Sequence, residues 1–152
     1  MLEQTEAYLM MKRAKDLSQK LAWFDTFKFD TAFKNLILDK VRTQLDHGKN
    51  SEGVIVGYYS LTTEIITKGR KQEGDNYNFQ DTGDFFRSLY IAYTPDSMTV
   101  EGDGKKDDED IIVKYSKDGD LLGVSPENWN WFVNQMKEKY ISYARKVLFR
   151  SR

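Results

Sequence analysis

The sequence contains no cysteine, which excludes disulfide bonds, thiolate nucleophiles and cysteine-based zinc sites. Histidine occurs once, as His47. A Ser-His-Asp or Cys-His apparatus needs an imidazole beside a nucleophile, and a lone histidine next to Gly48 reads instead as the polar end of a helix. A zinc centre with several His or Cys ligands is likewise excluded. No apolar run approaches the roughly 18 residues of a membrane span. The opening stretch, MLEQTEAYLMMKRAKD, lacks the basic-then-apolar order of a secretory signal, so maturation in a cytosol is expected. Neither charge sign is in excess. The formal net charge of −1 gives no general pull toward nucleic acid or an anionic membrane. Neither G-x-x-x-x-G-K-S/T nor G-x-G-x-x-G occurs, which removes the common nucleotide-binding loops.

What the sequence does have is aromatic and charged side chains. Aromatics make up 14% of its 152 residues, and charged residues 31%. Aromatic rings dominate both cores and interfaces, so a core lean in aliphatics is expected to be completed by rings, with others left for partners.

The pattern along the chain predicts one α+β domain over residues 1–152, with helices packed on a small antiparallel sheet. Met10, Ala14, Leu17, Leu21 and Phe24 form a helical stripe within residues 3–24, with Arg13 among the side chains left to water. Asp30 is a suitable N-cap for a second helix over 31–46, and His47-Gly48 is a suitable stop. Residues 54–115 read as a strand-rich middle. Val54–Tyr59 is β-branched and aromatic, 62–67 is a further extended piece, and 85–89 is a helical turn capped by Thr82 or Asp81. Residues 90–93 and 97–101 form a hairpin through Thr94-Pro95-Asp96, and 102–110 is a charged connector. Ser125-Pro126-Glu127 combines a capping serine, a proline at the first helical position and an acid in the first turn. It starts a last helix over 126–149, whose apolar face holds Trp129, Phe132, Val133, Met136 and Tyr140, with Trp131 beside that face.

Candidate chemistry is sparse. The run Asp103, Asp107, Asp108, Glu109, Asp110 lacks the register of a calcium loop and has Lys105 and Lys106 inside it. Asp81 and Asp84 are close enough to suggest an acid–base pair, but capping and the helix dipole explain both positions. Gly69-Arg70-Lys71 is a weak anion patch. The basic residues Lys137, Lys139, Arg145, Lys146, Arg150 and Arg152 gather where a helix dipole favours cations. No catalytic residue, metal ligand or cofactor site is assigned.

The segment Asp81-Thr82-Gly83-Asp84-Phe85-Phe86-Arg87-Ser88 resembles the Asp-Ser/Thr-Gly-x-Leu/Phe-x-x-Ser signature of small tailed-phage virion proteins. These are the head–tail joining, neck, tail-completion and minor structural proteins. Asp81, Thr82, Gly83, Phe85 and Ser88 occupy the signature positions. Where the family carries a basic residue after the glycine, this chain has Asp84. Lys114-Tyr115, Asp120, Leu122-Gly123-Val124-Ser125 and Glu127-Asn128 are similar to a downstream stretch of phage proteins from Bacteroides-type hosts. The resemblance spans residues 54–148. It implies a non-enzymatic virion component, made in the host cytoplasm, that forms a ring with copies of itself and contacts portal, connector or tail proteins. No membrane is implied, and nucleic acid only by proximity to packaged DNA. Such contacts favour aromatic anchors, for which Trp23, Trp129 and Trp131 are the candidates, with Asp107, Asp108 and Asp110 as charged contacts. The alternative reading is a non-viral intracellular adaptor without catalytic activity.

Overall fold

Asp30 sets the start of the central helix. Its carboxylate accepts a hydrogen bond from Phe33 N at 2.9 Å, satisfying one of the amides that a helix leaves free at its first turn. Helix α2 then runs over Thr31–Asp46, as the sequence predicts. In the computed structural model, which describes residues 5–17, 30–94 and 97–149, this helix is preceded by α1, Glu6–Leu17. Trp23, Leu21, Phe24, Pro95 and Asp96 lie outside the described residues. Phe33, Ile37, Val41 and Leu45 are the buried stripe of α2. The helix stops at Gly48, which takes φ 72° and donates to Leu45 O at 2.8 Å. A β-carbon there would also lie 2.5 Å from Tyr77 O.

Three short helices and two hairpins follow before the last helix. Ser60 caps α3, Leu61–Ile66. Next come α4, Asp84–Ser88, β1, Tyr90–Tyr93, and β2, Met98–Glu101. The hairpin β3, Lys105–Lys106, with β4, Glu109–Asp110, leads into α5, Ile111–Tyr115. Strand β1 pairs antiparallel with β2, placing Ile91 opposite Val100 and Tyr93 opposite Met98. The second hairpin pairs Lys105 with Asp110. The class is α+β, but its sheet content is two separate two-stranded pieces.

Three readings of the middle are therefore corrected. Val54–Tyr59 is not a strand, because its backbone divides between two partners. Ile55 bridges Lys49, and Tyr58 bridges Asn76, so no continuous ladder forms. Residues 61–66 are helical: the Ser60 cap outweighs the β-branched side chains. The expected connector at 102–110 is a hairpin whose turn residue Asp107 takes φ 51°.

Helix α6, Pro126–Leu148, begins as predicted, with Ser125 Oγ accepting from Asn128 N and Pro126 in the first turn. It packs antiparallel to α2. Asn128 Nδ2 donates to Gln44 Oε1 at 3.1 Å near one end, Phe132 stacks on Phe33 at 5.1 Å, and Lys139 pairs with Asp30 at the other. The apolar face is rotated from the expected one. Trp131 packs against the core, with Lys40 Nζ 5.0 Å from its ring, while Trp129 and Val133 lie toward solvent. Arg13 of α1 does not face water either: its Nη1 donates to Leu148 O at 3.1 Å, at the end of α6. The buried cluster comprises Phe33, Ile37, Leu38, Val41, Leu45, Phe85, Leu89, Leu121 and Phe132.

Asp30 both caps α2 and pairs across to α6, and its carboxyl is held below its ordinary value of 3.8, chiefly by the Lys139 hydrogen bond. A depressed carboxylate contributes stability above its unfolded pKa and loses it as pH falls through the folded one. Asp30→Asn keeps a capping side chain and removes the charge. The variant is expected to be less stable than the wild type above about pH 5, with the two denaturation curves converging below about pH 4. A constant gap across that range would show that the Lys139 pair contributes nothing.

Candidate functional site

Beside the far end of α2, a cleft of about 830 Å³ opens between residues 77–88, the β3–β4 hairpin, α5 and Tyr59. Its floor is aromatic. Tyr77 meets Tyr59 edge-on at 5.0 Å and Tyr115 at 5.3 Å. Phe79 meets Tyr115 at 5.3 Å and Phe85 at 6.3 Å. Tyr59 is fixed from below, because its hydroxyl donates to Asn78 Oδ1 at 2.8 Å and accepts from Asn78 N at 3.1 Å. Such edge-to-face sets favour a rigid floor. The rim is charged, with Asp81, Asp84, Asp103, Asp107, Asp108 and Glu109 against Lys71, Lys105 and Lys106.

The signature residues form one wall of this cleft, and each end of their segment grips the hairpin. Asp81 forms an ion pair with Lys106. Ser88 Oγ donates to Phe85 O at 2.7 Å and accepts from Asp103 N at 2.9 Å. Between them, Gly83 takes φ 82° as the residue before α4, with no side-chain cap. Thr82 Oγ1 instead accepts from Asp84 N at 3.3 Å and donates to its carboxylate. The N-cap position is thus a left-handed glycine, Thr82 satisfies the first amide of α4 from one residue earlier, and Asp81 pairs with the hairpin. Phe85 is buried beneath.

The electrostatics hold these groups in their ordinary charge states. The Lys106 ammonium keeps the Asp81 carboxyl below its usual range, and Asp81 in turn raises Lys106. The Thr82 hydroxyl, then the Arg87 guanidinium, hold Asp84 down. Burial pushes the Tyr115 hydroxyl up. A general acid or base works best with a pKa near the working pH, and each of these shifts leads away from neutrality.

The other candidates separate. Asp107 and Asp108 sit exposed at the hairpin turn. Asp110 caps α5, its Oδ1 accepting from Ile112 N at 2.9 Å and Val113 N at 3.3 Å. Trp129 is 49% exposed and stacks on Phe132 at 5.3 Å, away from the cleft lining. Trp131 is an anchor of the protein's own core. Among the described residues, no group of three or more His, Asp or Glu is arranged to hold a metal ion, and no helix is long and apolar enough to cross a membrane.

Sequence reasoning missed the exposed apolar face of α3, where Ile65 and Ile66 are 68% and 74% exposed beside Leu61. The signal was Ser60 followed by Glu64 in the first turn, which marks a helix start. It also missed the cleft floor, since Tyr59, Tyr77, Phe79 and Tyr115 come from three separate stretches.

Gly104 sets how closely the hairpin approaches α5. A β-carbon there would lie 2.6 Å from Asp110 Oδ1 and Ile112 Cγ1, and 2.9 Å from Ile112 N. Gly104→Ala therefore displaces backbone, and overpacking of this kind costs about 1–3 kcal/mol. Hydrogen exchange is expected to accelerate over residues 104–115 while α2 and α6 stay protected. Unchanged exchange there would show that the hairpin yields without cost.

The chain matches no family model, no curated protein and no solved structure.

Proposed function

We propose that this chain is a structural component of a tailed-bacteriophage virion, a ring-forming neck, head–tail connector or tail-completion protein that works by assembly and not by catalysis. The observation that carries the reading is the segment Asp81–Ser88. It resembles the virion-protein signature, and its side chains are spent on building one wall of a cleft, not on presenting a reactive group. Two further features support it. The rim groups are stabilised in their charged forms, which suits a docking surface. Helix α3 leaves Leu61, Ile65 and Ile66 in water, and clustered exposed apolar side chains mark contact sites.

The genetic test is to inactivate the gene in a phage that carries it and examine the lysate by electron microscopy. Filled heads and separate, unjoined tails, restored to whole particles by the wild-type gene, are expected. Complete, infectious particles without the protein would overturn the reading.

A further inference from the structure

We infer that the cleft receives the end of helix α6 from a second copy of this chain, so that subunits join head to tail. This rests on the assembly reading and names the contact that would carry it.

Opposite ends of the molecule carry complementary chemistry. The cleft combines an aromatic floor with a rim in which six acids outnumber three lysines, and Asp107 and Asp108 at its hairpin turn have no ion-pair partner among the described residues. The end of α6 offers the converse. Phe149 is 67% exposed and Ile141 40%, and Arg145 and Lys146 are exposed beside them without ion pairs among the described residues. Residues 137–152 hold six Lys or Arg against Glu138 alone. A ring and cations therefore face a ring-lined, acid-lipped site, a pairing in which apolar contact, cation–π attraction and charge act together.

A subunit does not fill its own cleft. The cleft lies at the end of α2 marked by Gly48, whose backbone abuts Tyr77. Helix α6 passes the other end of α2 at Asp30, through Lys139. Sixteen residues of α2 separate the two ends by about 24 Å, and α6 continues for another nine residues, about 14 Å, beyond that point. Two different patches at opposite ends make a heterologous contact, which closes into a ring or extends into a filament.

The test is sedimentation velocity of the full chain over a concentration series to millimolar, with two surface variants checked for unchanged circular dichroism. Arg145→Glu with Lys146→Glu reverses the helix end. Asp107→Lys with Asp108→Lys reverses the lip. The wild type is expected to associate with rising concentration, each variant alone to associate at least about tenfold more weakly, and an equimolar mixture of the two to regain association, since each now matches the other. Variants that associate as the wild type does, or a mixture that does not recover, would overturn this contact and leave the assembly reading in place. A wild type that stays monomeric at millimolar concentration would also overturn it. Absence of the protein from purified particles would instead remove the assembly reading.

Discussion

Replacing Gln44 by leucine is expected to remove about 3 kcal/mol of stability, because each buried polar group left without a partner costs about 1–3 kcal/mol. The side chain is 4% exposed and uses both ends of its amide. Nε2 donates to Asn50 O at 2.9 Å and to Gly123 O at 3.2 Å. Oε1 accepts from Ser125 N at 2.9 Å and Asn128 Nδ2 at 3.1 Å. One residue thus joins α2, the turn after it, the 121–125 segment and the first turn of α6. Leucine fills a similar volume but satisfies none of those groups, among them the amide of the buried cap Ser125. The melting temperature is expected to fall by roughly 10 °C. As a control, Asp39→Asn breaks only the exposed Arg42 pair at 2.9 Å and is expected to change stability by less than about 0.5 kcal/mol. Equal effects of the two would show that the buried amide is not the joint described.

Phe33→Ala is expected to cost about 3–5 kcal/mol, the range for truncating a buried phenylalanine. Phe33 is 1% exposed and is the ring on which Phe132 stacks, while Phe132 in turn stacks on Trp129 at 5.3 Å. Removing it takes the main apolar contact from between α2 and α6 and leaves a cavity that backbone on both sides cannot close. With native domains stable by only about 5–15 kcal/mol, urea denaturation should shift to a much lower midpoint. The tryptophan emission of the folded state should change as well, because Trp129 loses the support of its stack. A loss under about 1 kcal/mol would mean that Phe33 is not central to the core.

The two helices that frame the protein were legible because their signals are local. Asp30 before an apolar stripe, Gly48 after it, and Ser125-Pro126-Glu127 each determine a helix end within one turn of chain. The middle was not legible, because tertiary contacts decide it. Val54–Tyr59 has strand composition, yet its hydrogen bonds go to Gly48 on one side and Asp75 on the other, and no spacing rule reveals that division. The hairpin at 105–110 needs Gly104 to admit Ile112 and Asp107 to turn left-handed, in a stretch whose composition reads as loop. The signature segment was singled out from sequence, but its role as a clasp depends on Lys106 and Asp103, which lie far along the chain. Trp131 was misplaced because the apolar face of α6 was drawn around Trp129 and Val133, which lie toward solvent, while α2 draws Trp131 inward under Lys40.

The reading of the chain as a virion component is tested most directly by quantitative mass spectrometry of purified phage particles from a host carrying the gene. The account predicts this polypeptide in the particle, at a fixed ratio to the portal protein and at the several to a dozen copies of a ring. Its consistent absence from particles, with the protein found only in the infected-cell lysate, would contradict that account.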